Sequence, residues 1–318
     1  MKKKENLIKK VKHLLNKIGA PKRLHRFGPK IYELWQHVFA LFVRSNCHLS
    51  YRRTSNFLKS LGFKVASKST LQRYSAKLKL GFWQQLFNLT ISKCSKIVSI
   101  DGTGLSKSKP SQHYIQRIDG YQKFSKGFHF SIIVDDKSKI VSLRIRKRYS
   151  HDIKDAKYLA KRMPFKPKII LMDKGYDSEK LHRYFVKNDI WSIAPVKKNW
   201  AKGQLRKKLK ENFPKEIYCK RNRVESVFHA LKQKYGSSVS SKKIESARSE
   251  VYCRAILHNI SFIINRLLGH TQRNKKLYIT SKTTKEYNMK NMQSSPKLIL
   301  AKTLFQFFEV VINGKRDS

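Results

Sequence analysis

The sequence predicts an α/β fold in which a mixed five-stranded sheet with flanking helices follows an all-helical region. Apolar residues recur at helical spacing from Ile31 to Asn46, whereas beyond Ser95 they alternate or form the short continuous runs typical of strands. Three strands followed by alternating helices and strands is the order of a layered α/β domain. With 318 residues, the chain has room for more than one domain.

The helical region contains two short helices on either side of a glycine. The segment Ser50–Leu61 is amphipathic, Gly62 makes a turn, and Ser67–Leu78 begins with Ser and Thr residues that favour a helix start. This order is typical of a helix-turn-helix, whose second helix enters the major groove of DNA, although any helical hairpin has a similar pattern. The residues then expected to contact base edges and phosphates are Lys68, Ser69, Gln72 and Arg73.

Five segments have the pattern of strands. They are Lys96–Asp101, Gly127–Val134, Ile140–Arg146, Lys168–Asp173 and Trp191–Ala194, with a hairpin turn at residues 135–137. Later helices are predicted at Asp152–Met163, Ser178–Lys187, Glu216–Lys234 and Ile244–Leu268. A polar linker at Thr271–Ser295 and a final amphipathic helix at Leu298–Ile312 complete the chain.

The charge of the chain indicates a polyanionic partner. Lys and Arg number 71 against 20 Asp and Glu, and a net charge of +51 favours nucleic acid, although an AT-biased genome also enriches Lys. A membrane surface fits less well, because the cations are spread along the chain and the longest apolar run, Ala255–Leu268, is interrupted by polar residues. The four cysteines lack the spacing of a zinc site. We therefore expect a cytoplasmic, DNA-binding protein without membrane association.

Two aspartates follow predicted strands. Asp101 and Asp173 each come at a strand end and precede a glycine-containing turn. Ligands of α/β sheets bind at the carboxyl ends of the strands, so adjacent strands would bring the two carboxylates together. The alternative is that each Asp caps its turn, since Asp-Gly is a common turn pair.

The helix predicted at Glu216–Lys234 carries four polar residues on one face. Their offsets of 0, 3, 7 and 14 place Tyr218, Arg221, Glu225 and Lys232 within an arc of roughly 60°. Apolar residues form the neighbouring stripe, so the helix can pack on the sheet while presenting a carboxylate between cations. An exposed, solvated face is the alternative.

These residues resemble a known family, the insertion-sequence transposases of the DDE class that have a Tyr-Arg-Glu-Lys signature. The pattern Y-x2-R-x3-E-x6-K is met in full at residues 218–232, and Asp101 in SIDGTGL and Asp173 in LMDKGYD resemble the family's two aspartate motifs. The resemblance covers roughly Ile97 to Leu267. It implies an RNase H-like catalytic domain at residues 93–268, with a basic insertion at about 197–216. A basic arm (1–30) and the helix-turn-helix-like region (31–92) would precede this domain, and a linker with a C-terminal helix (269–318) would follow.

The resemblance also implies a chemistry. Asp101, Asp173 and Glu225 would bind two Mg²⁺ or Mn²⁺ ions for cleavage at transposon ends and strand transfer into target DNA. Tyr218, Arg221 and Lys232 would bind phosphates, and Trp200 would stack on a flipped base. A homodimer on DNA, associated with the prokaryotic nucleoid, is expected. The alternatives are a domesticated, non-cutting DNA-binding protein and a nuclease of the same fold acting on RNA–DNA hybrids.

Overall fold

Helices precede the sheet, and four of them lie between residues 34 and 88. The computed structural model describes residues 12–24, 27, 31–106, 127–147, 153–196, 203–241 and 243–279, with only the backbone helix described at 262–279. The four helices are α1 (Leu34–Asn46), α2 (Tyr51–Ser60), α3 (Lys68–Lys77) and α4 (Leu80–Asn88). Ser50 caps α2 by accepting a hydrogen bond from the Arg53 amide, and Gly62 turns the chain with a φ of 74°. The two helices around a glycine predicted from the sequence are therefore present.

The sheet has five strands in the order β3-β2-β1-β4-β5. They are β1 (Ile97–Leu105), β2 (Phe128–Asp135), β3 (Ile140–Arg146), β4 (Ile169–Leu171) and β5 (Trp191–Ile193). The pairs β1–β2 and β2–β3 are antiparallel, whereas β4 runs parallel to both β1 and β5. This arrangement confirms the predicted mixed, RNase H-like sheet.

Helices follow the first three strands and cover the sheet. They are α5 (Ile153–Ala160), α6 (Glu179–Val186), α7 (Gln204–Glu211), α8 (Lys215–Tyr218), α9 (Asn222–Tyr235) and α10 (Ile244–Ile279), with 3₁₀ turns at Lys174–Tyr176 and Cys219–Arg221.

Three predicted boundaries were wrong. The first strand continues past Asp101 to Leu105, because residues 102–105 still pair with β2 after the pairing with β4 has stopped. The helix predicted at Glu216–Lys234 is broken by the 3₁₀ turn at Cys219–Arg221, so a uniform 100° per residue does not hold from Tyr218 to Lys232. Residues 271–279, assigned to the linker, continue α10, and the predicted helix at Leu298–Ile312 lies outside the described residues.

The two faces of the sheet pack against different helices. One core joins the inward side chains of β2 and β3 to α9, α10 and the N-terminal helices, and it includes Phe39, Trp83, Phe130 and Phe228. The second core lies between the opposite face and helices α5 and α6. Since the first core runs without a break from the helical region to the sheet, a domain boundary near residue 92 remains a prediction.

Two buried side chains of α10 fix the β2–β3 hairpin. The Asn259 amide receives a hydrogen bond from the Ile140 N–H and donates one to the Ile140 carbonyl, both at 2.8 Å. The His258 Nε2 lies 3.1 Å from the Ser138 carbonyl, so this nitrogen must carry the proton and donate. Burial lowers the pKa of His258 to about 4, against the partial opposing effect of that hydrogen bond.

Acidification is expected to destabilise the protein through His258. Because the pKa of His258 is lower in the folded than in the unfolded chain, the unfolded state binds more protons, and stability is lost as pH falls from about 6.5 towards 4. Between pH 7 and 5 the loss from this group is about 2 kcal/mol. His258→Gln should flatten this part of the pH dependence in urea unfolding, whereas substitution of the exposed His229 by Gln should not. Equal slopes for the two variants would contradict the assignment.

Candidate active site

Asp101 and Asp173 occupy equivalent positions on adjacent parallel strands. The pairing of β1 with β4 ends at Ser99 opposite Leu171, and each aspartate lies two residues farther along the chain. Asp101 is still held in the sheet by β2, where it pairs with Ile132. Asp173 is the residue that precedes the 3₁₀ turn at Lys174–Tyr176. The strand register therefore brings the two carboxylates to the same edge of the sheet.

Arg221 joins these two aspartates to Glu225. Its guanidinium lies 3.7 Å from the Asp101 carboxylate and 3.5 Å from that of Asp173, and it donates a 2.6 Å hydrogen bond to Glu225. The Arg221 side chain is 12% exposed, whereas those of Asp173 and Glu225 are 48% and 54% exposed. Three acids from two strands and a helix thus surround one largely buried cation and face solvent on the other side.

Electrostatics agree with this geometry. Burial alone would lower the pKa of Arg221, but the hydrogen bond to Glu225 and nearby negative charges outweigh it and raise the pKa. Burial also raises the pKa of the Tyr218 phenol. Arg221 lowers this pKa, whereas the surrounding carboxylates raise it further, and the net shift is upwards. Tyr218 is therefore a neutral hydrogen-bonding group beside the acids at physiological pH.

Lys232 lies on the same side of the sheet. Its Nζ donates a 2.7 Å hydrogen bond to the Thr103 hydroxyl, two residues beyond Asp101 on the same face of β1. After α9, the Ser237 carbonyl and the Val239 amide bond to the backbone of Ser106. Helix α9 is therefore attached to β1 at several points. The sequence reasoning missed Thr103, although the two-residue period of a strand that passes through Asp101 points to it.

Two other aspartates have structural roles. Asp135 is buried and accepts hydrogen bonds from the Lys137 and Lys139 amides in the β2–β3 turn. Asp177 is buried and receives a bidentate pair of hydrogen bonds from Arg206, at 2.7 and 2.6 Å. Asp119 lies outside the described residues.

The Asp177–Arg206 pair anchors the segment that carries Asp173. Arg206 belongs to α7, which lies within the predicted basic insertion, and the amides of α7 also approach the Glu179 carboxylate. The pair ties this insertion to the turn that follows Asp173. Asp177 and Arg206 are 29 positions apart, and only their opposite charges could indicate from the sequence that they form a pair.

Removal of Arg206 should destabilise the protein. Arg206→Met leaves the Asp177 carboxylate buried without its bidentate partner, and we expect a loss of about 3 kcal/mol in the free energy of unfolding. Arg183→Met is the matched control, because Arg183 is 66% exposed and its pair with Glu179 lies at the surface. Urea unfolding of both variants measures the difference. A loss for Arg206→Met no larger than that of the control would contradict this role.

The remaining predicted contact residues are separate from the acids. Lys68, Ser69, Gln72 and Arg73 are exposed on α3, and Trp200 lies outside the described residues. Within the described ranges, no cluster of three or more His, Cys, Asp and Glu side chains is arranged to hold a metal ion. None of the helices in the part of the chain that the structure describes has the length and apolarity to cross a membrane.

Comparison with known proteins assigns the family. Residues 92–260, more than half of the chain, match the transposase DDE domain. The chain therefore belongs to the transposase DDE domain family. The matched residues include both aspartates, Glu225 and all five strands.

Individual relatives are distant. An uncharacterized protein of Aquifex aeolicus (strain VF5) is 23% identical over 280 residues, which are 82% of this chain and 87% of that protein. Among solved structures, the piggyBac transposase synaptic complex with hairpin DNA aligns with a TM-score of 0.46 and 10% identity, over 98% of this chain and 80% of that one. The Mos1 transposase paired-end complex with left transposon end gives a TM-score of 0.24 and 12% identity, over 76% and 82%. At these values, the fold assignment rests on the sheet topology and the family match.

Proposed function

We propose that this protein is a DNA transposase that cleaves DNA at the ends of its element and joins those ends to a target. The single observation that supports the proposal most strongly is the meeting of Asp101, Asp173 and Glu225 around Arg221. Membership in the transposase DDE domain family supports the same reaction.

The three carboxylates fit divalent cations. Carboxylate oxygens are the ligands that Mg²⁺ prefers, and the open faces of Asp173 and Glu225 leave room for water and phosphate oxygens. Arg221 now lies among these acids and balances part of their charge, which accounts for the lack of a ready-made metal cluster in the described residues. Asp101, Asp173 and Glu225 would hold two Mg²⁺ or Mn²⁺ ions once Arg221 has moved aside. Bound there, such ions activate a hydroxyl nucleophile and stabilise the leaving oxygen.

The neighbouring residues have roles in phosphate binding. Arg221 is a bidentate donor suited to a phosphate, and Lys232, held near Asp101 by Thr103, supplies a point charge. Tyr218, a neutral phenol, can donate a hydrogen bond to a phosphate oxygen. Together with Glu225 they form the Tyr-Arg-Glu-Lys signature, so we assign the chain to that subgroup.

Two further features belong to the proposal. Because two DNA ends must be joined, the working form on DNA is a homodimer. Trp200 is proposed to stack on a base.

Cleavage of the native flanking DNA tests the function. The full-length protein should cut a duplex that carries the terminal sequences flanking its gene when Mg²⁺ is present, and EDTA should stop the reaction. A duplex with the same composition in scrambled order is the matched substrate control. Binding without cutting in Mg²⁺ or Mn²⁺ would identify a non-catalytic DNA-binding protein, and preferential cutting of an RNA–DNA hybrid would identify a nuclease. Either result would overturn the proposal.

A further inference from the structure

A wide groove lies between the helical region and the segment that joins α9 to α10. Its volume is about 1010 Å³. One wall is formed by the C-terminal end of α1, the start of α2 and the exposed side of α3, and the other by Ser240, Ser241, Lys243 and Ser246. The groove is therefore shared by the N-terminal helices and the chain that continues directly from the helix of Glu225.

The groove is lined by cations and hydroxyl groups. Arg53, Arg73 and Lys243 are exposed along it, and their side chains form no ion pair with any residue that the structure describes. Four serines and Gln72 provide further hydrogen-bonding groups, and no Asp or Glu is among the lining residues. Such a surface fits a chain of phosphates, whose oxygens accept from both Arg and Ser.

A buried ionic network supports one wall and adds positive charge to it. Glu250 is buried and receives hydrogen bonds from Arg44 at 3.2 Å, from Arg254 at 2.6 Å and from the Ser241 hydroxyl at 3.0 Å. Two arginines therefore share one carboxylate, so that an excess positive charge remains behind the groove. Burial alone would raise the pKa of Glu250, but the two guanidinium groups outweigh this effect and lower it. The wall is consequently preformed, with its serines held in position.

We propose that this groove binds one sugar-phosphate strand of duplex DNA without reading its sequence. The inference rests on the proposed function, since it names how the DNA of that reaction is held. Gln72 and Arg73, expected to read bases from α3, line the groove and would contact the backbone, whereas Lys68 and Ser69 are not among its lining residues. The strand would thus be held jointly by the helical region and the segment that continues from α9.

Salt-dependent DNA binding tests the groove. The logarithm of the affinity falls as the logarithm of the salt concentration rises. Replacing Arg53, Arg73 and Lys243 together by Ala should make this slope less steep by about 3, and each single replacement by about 1. The loss should be equal for the native terminal duplex and a scrambled one. The matched control replaces Lys161, Lys180 and Lys187 by Ala, three exposed cations on the α5–α6 side of the sheet, and its slope should change by less than 1.

Each outcome has a separate meaning. Equal slopes for the groove triple and the control triple would overturn the groove proposal, and a loss confined to the native sequence would show base reading by α3 in its place. Circular dichroism spectra of the variants check that the fold is retained. Because binding is measured without metal, failure of the wild-type protein to cleave DNA would count against the proposed function but would leave the groove result intact.

Discussion

Asp173→Asn is expected to abolish metal-dependent DNA cleavage while leaving DNA binding intact. The substitution keeps the shape of the side chain but removes the negative charge that we propose for metal binding. We expect a fall in the cleavage rate of at least about a thousandfold, or about 4 kcal/mol of transition-state stabilisation. Since Asp173 is half-exposed and pairs only with Arg221 among the described residues, the cost in stability should be small. Cleavage of the terminal duplex in Mg²⁺ and binding in EDTA measure the two effects.

The control for this prediction is Asp189→Asn. Asp189 is 86% exposed, pairs with Lys166 at the surface and has a φ of 51°, a conformation that Asn tolerates well. Asp101→Asn should be as inactive as Asp173→Asn, and the double variant should be no worse, because both residues are proposed to serve one site. Retained cleavage in Asp173→Asn would show that the acids do not form the active site.

Arg221→Ala is expected to change metal binding and cleavage in opposite directions. The guanidinium is the cation that now balances Asp101, Asp173 and Glu225. A single positive charge at about 5 Å opposes a divalent cation by about 7 kcal/mol at an effective dielectric constant of about 20. Allowing for movement of the Arg221 side chain, its removal should tighten Mn²⁺ binding about 10- to 100-fold. Cleavage should nevertheless fall about a hundredfold, because the bidentate phosphate donor is lost.

Titration with Mn²⁺ followed by electron paramagnetic resonance separates these effects. Arg223→Ala is the matched control, since it removes an equal charge two residues farther along the chain. Among the described contacts, Arg223 forms no ion pair with the three acids. Its Mn²⁺ affinity should stay within about threefold of the wild type, because a more distant charge is better screened. Unchanged Mn²⁺ affinity in Arg221→Ala would mean that this residue does not compete with the cation.

Helices and strands could be predicted from the sequence where a single spacing of apolar residues extends over the whole segment. The fully buried β2 and the amphipathic α2 both lie within a residue or two of their predicted bounds. The length of β1 was missed because Gly102 and Gly104 have turn propensity, yet pairing with β2 holds them in the strand. The break at Cys219–Arg221 was missed because the polar spacing of residues 218–232 fits a regular helix, and a 3₁₀ turn has no distinct composition.

The acids of the candidate site could be predicted from the sequence more readily than the residues that hold them in place. Glu225 could be singled out by its helical face, whereas the choice of Asp101 and Asp173 needed both the inferred strand ends and the family resemblance. Arg206 and Glu250 could not be found in this way, because each acts through a contact between distant parts of the chain. Long-range polar contacts depend on the final packing rather than on local periodicity.

The core shared by the N-terminal helices and the sheet would couple the proposed DNA binding to the stability of the half that carries the three acids. Trp83 of α4 and Phe228 of α9 belong to one buried cluster. Unfolding of either half would therefore expose apolar side chains of the other half and destabilise it. A duplex that binds only the folded helical region would then raise the melting temperature of the whole unit, by an amount set by its concentration relative to its dissociation constant. The strands that carry the acids would be most resistant to unfolding when DNA is in place.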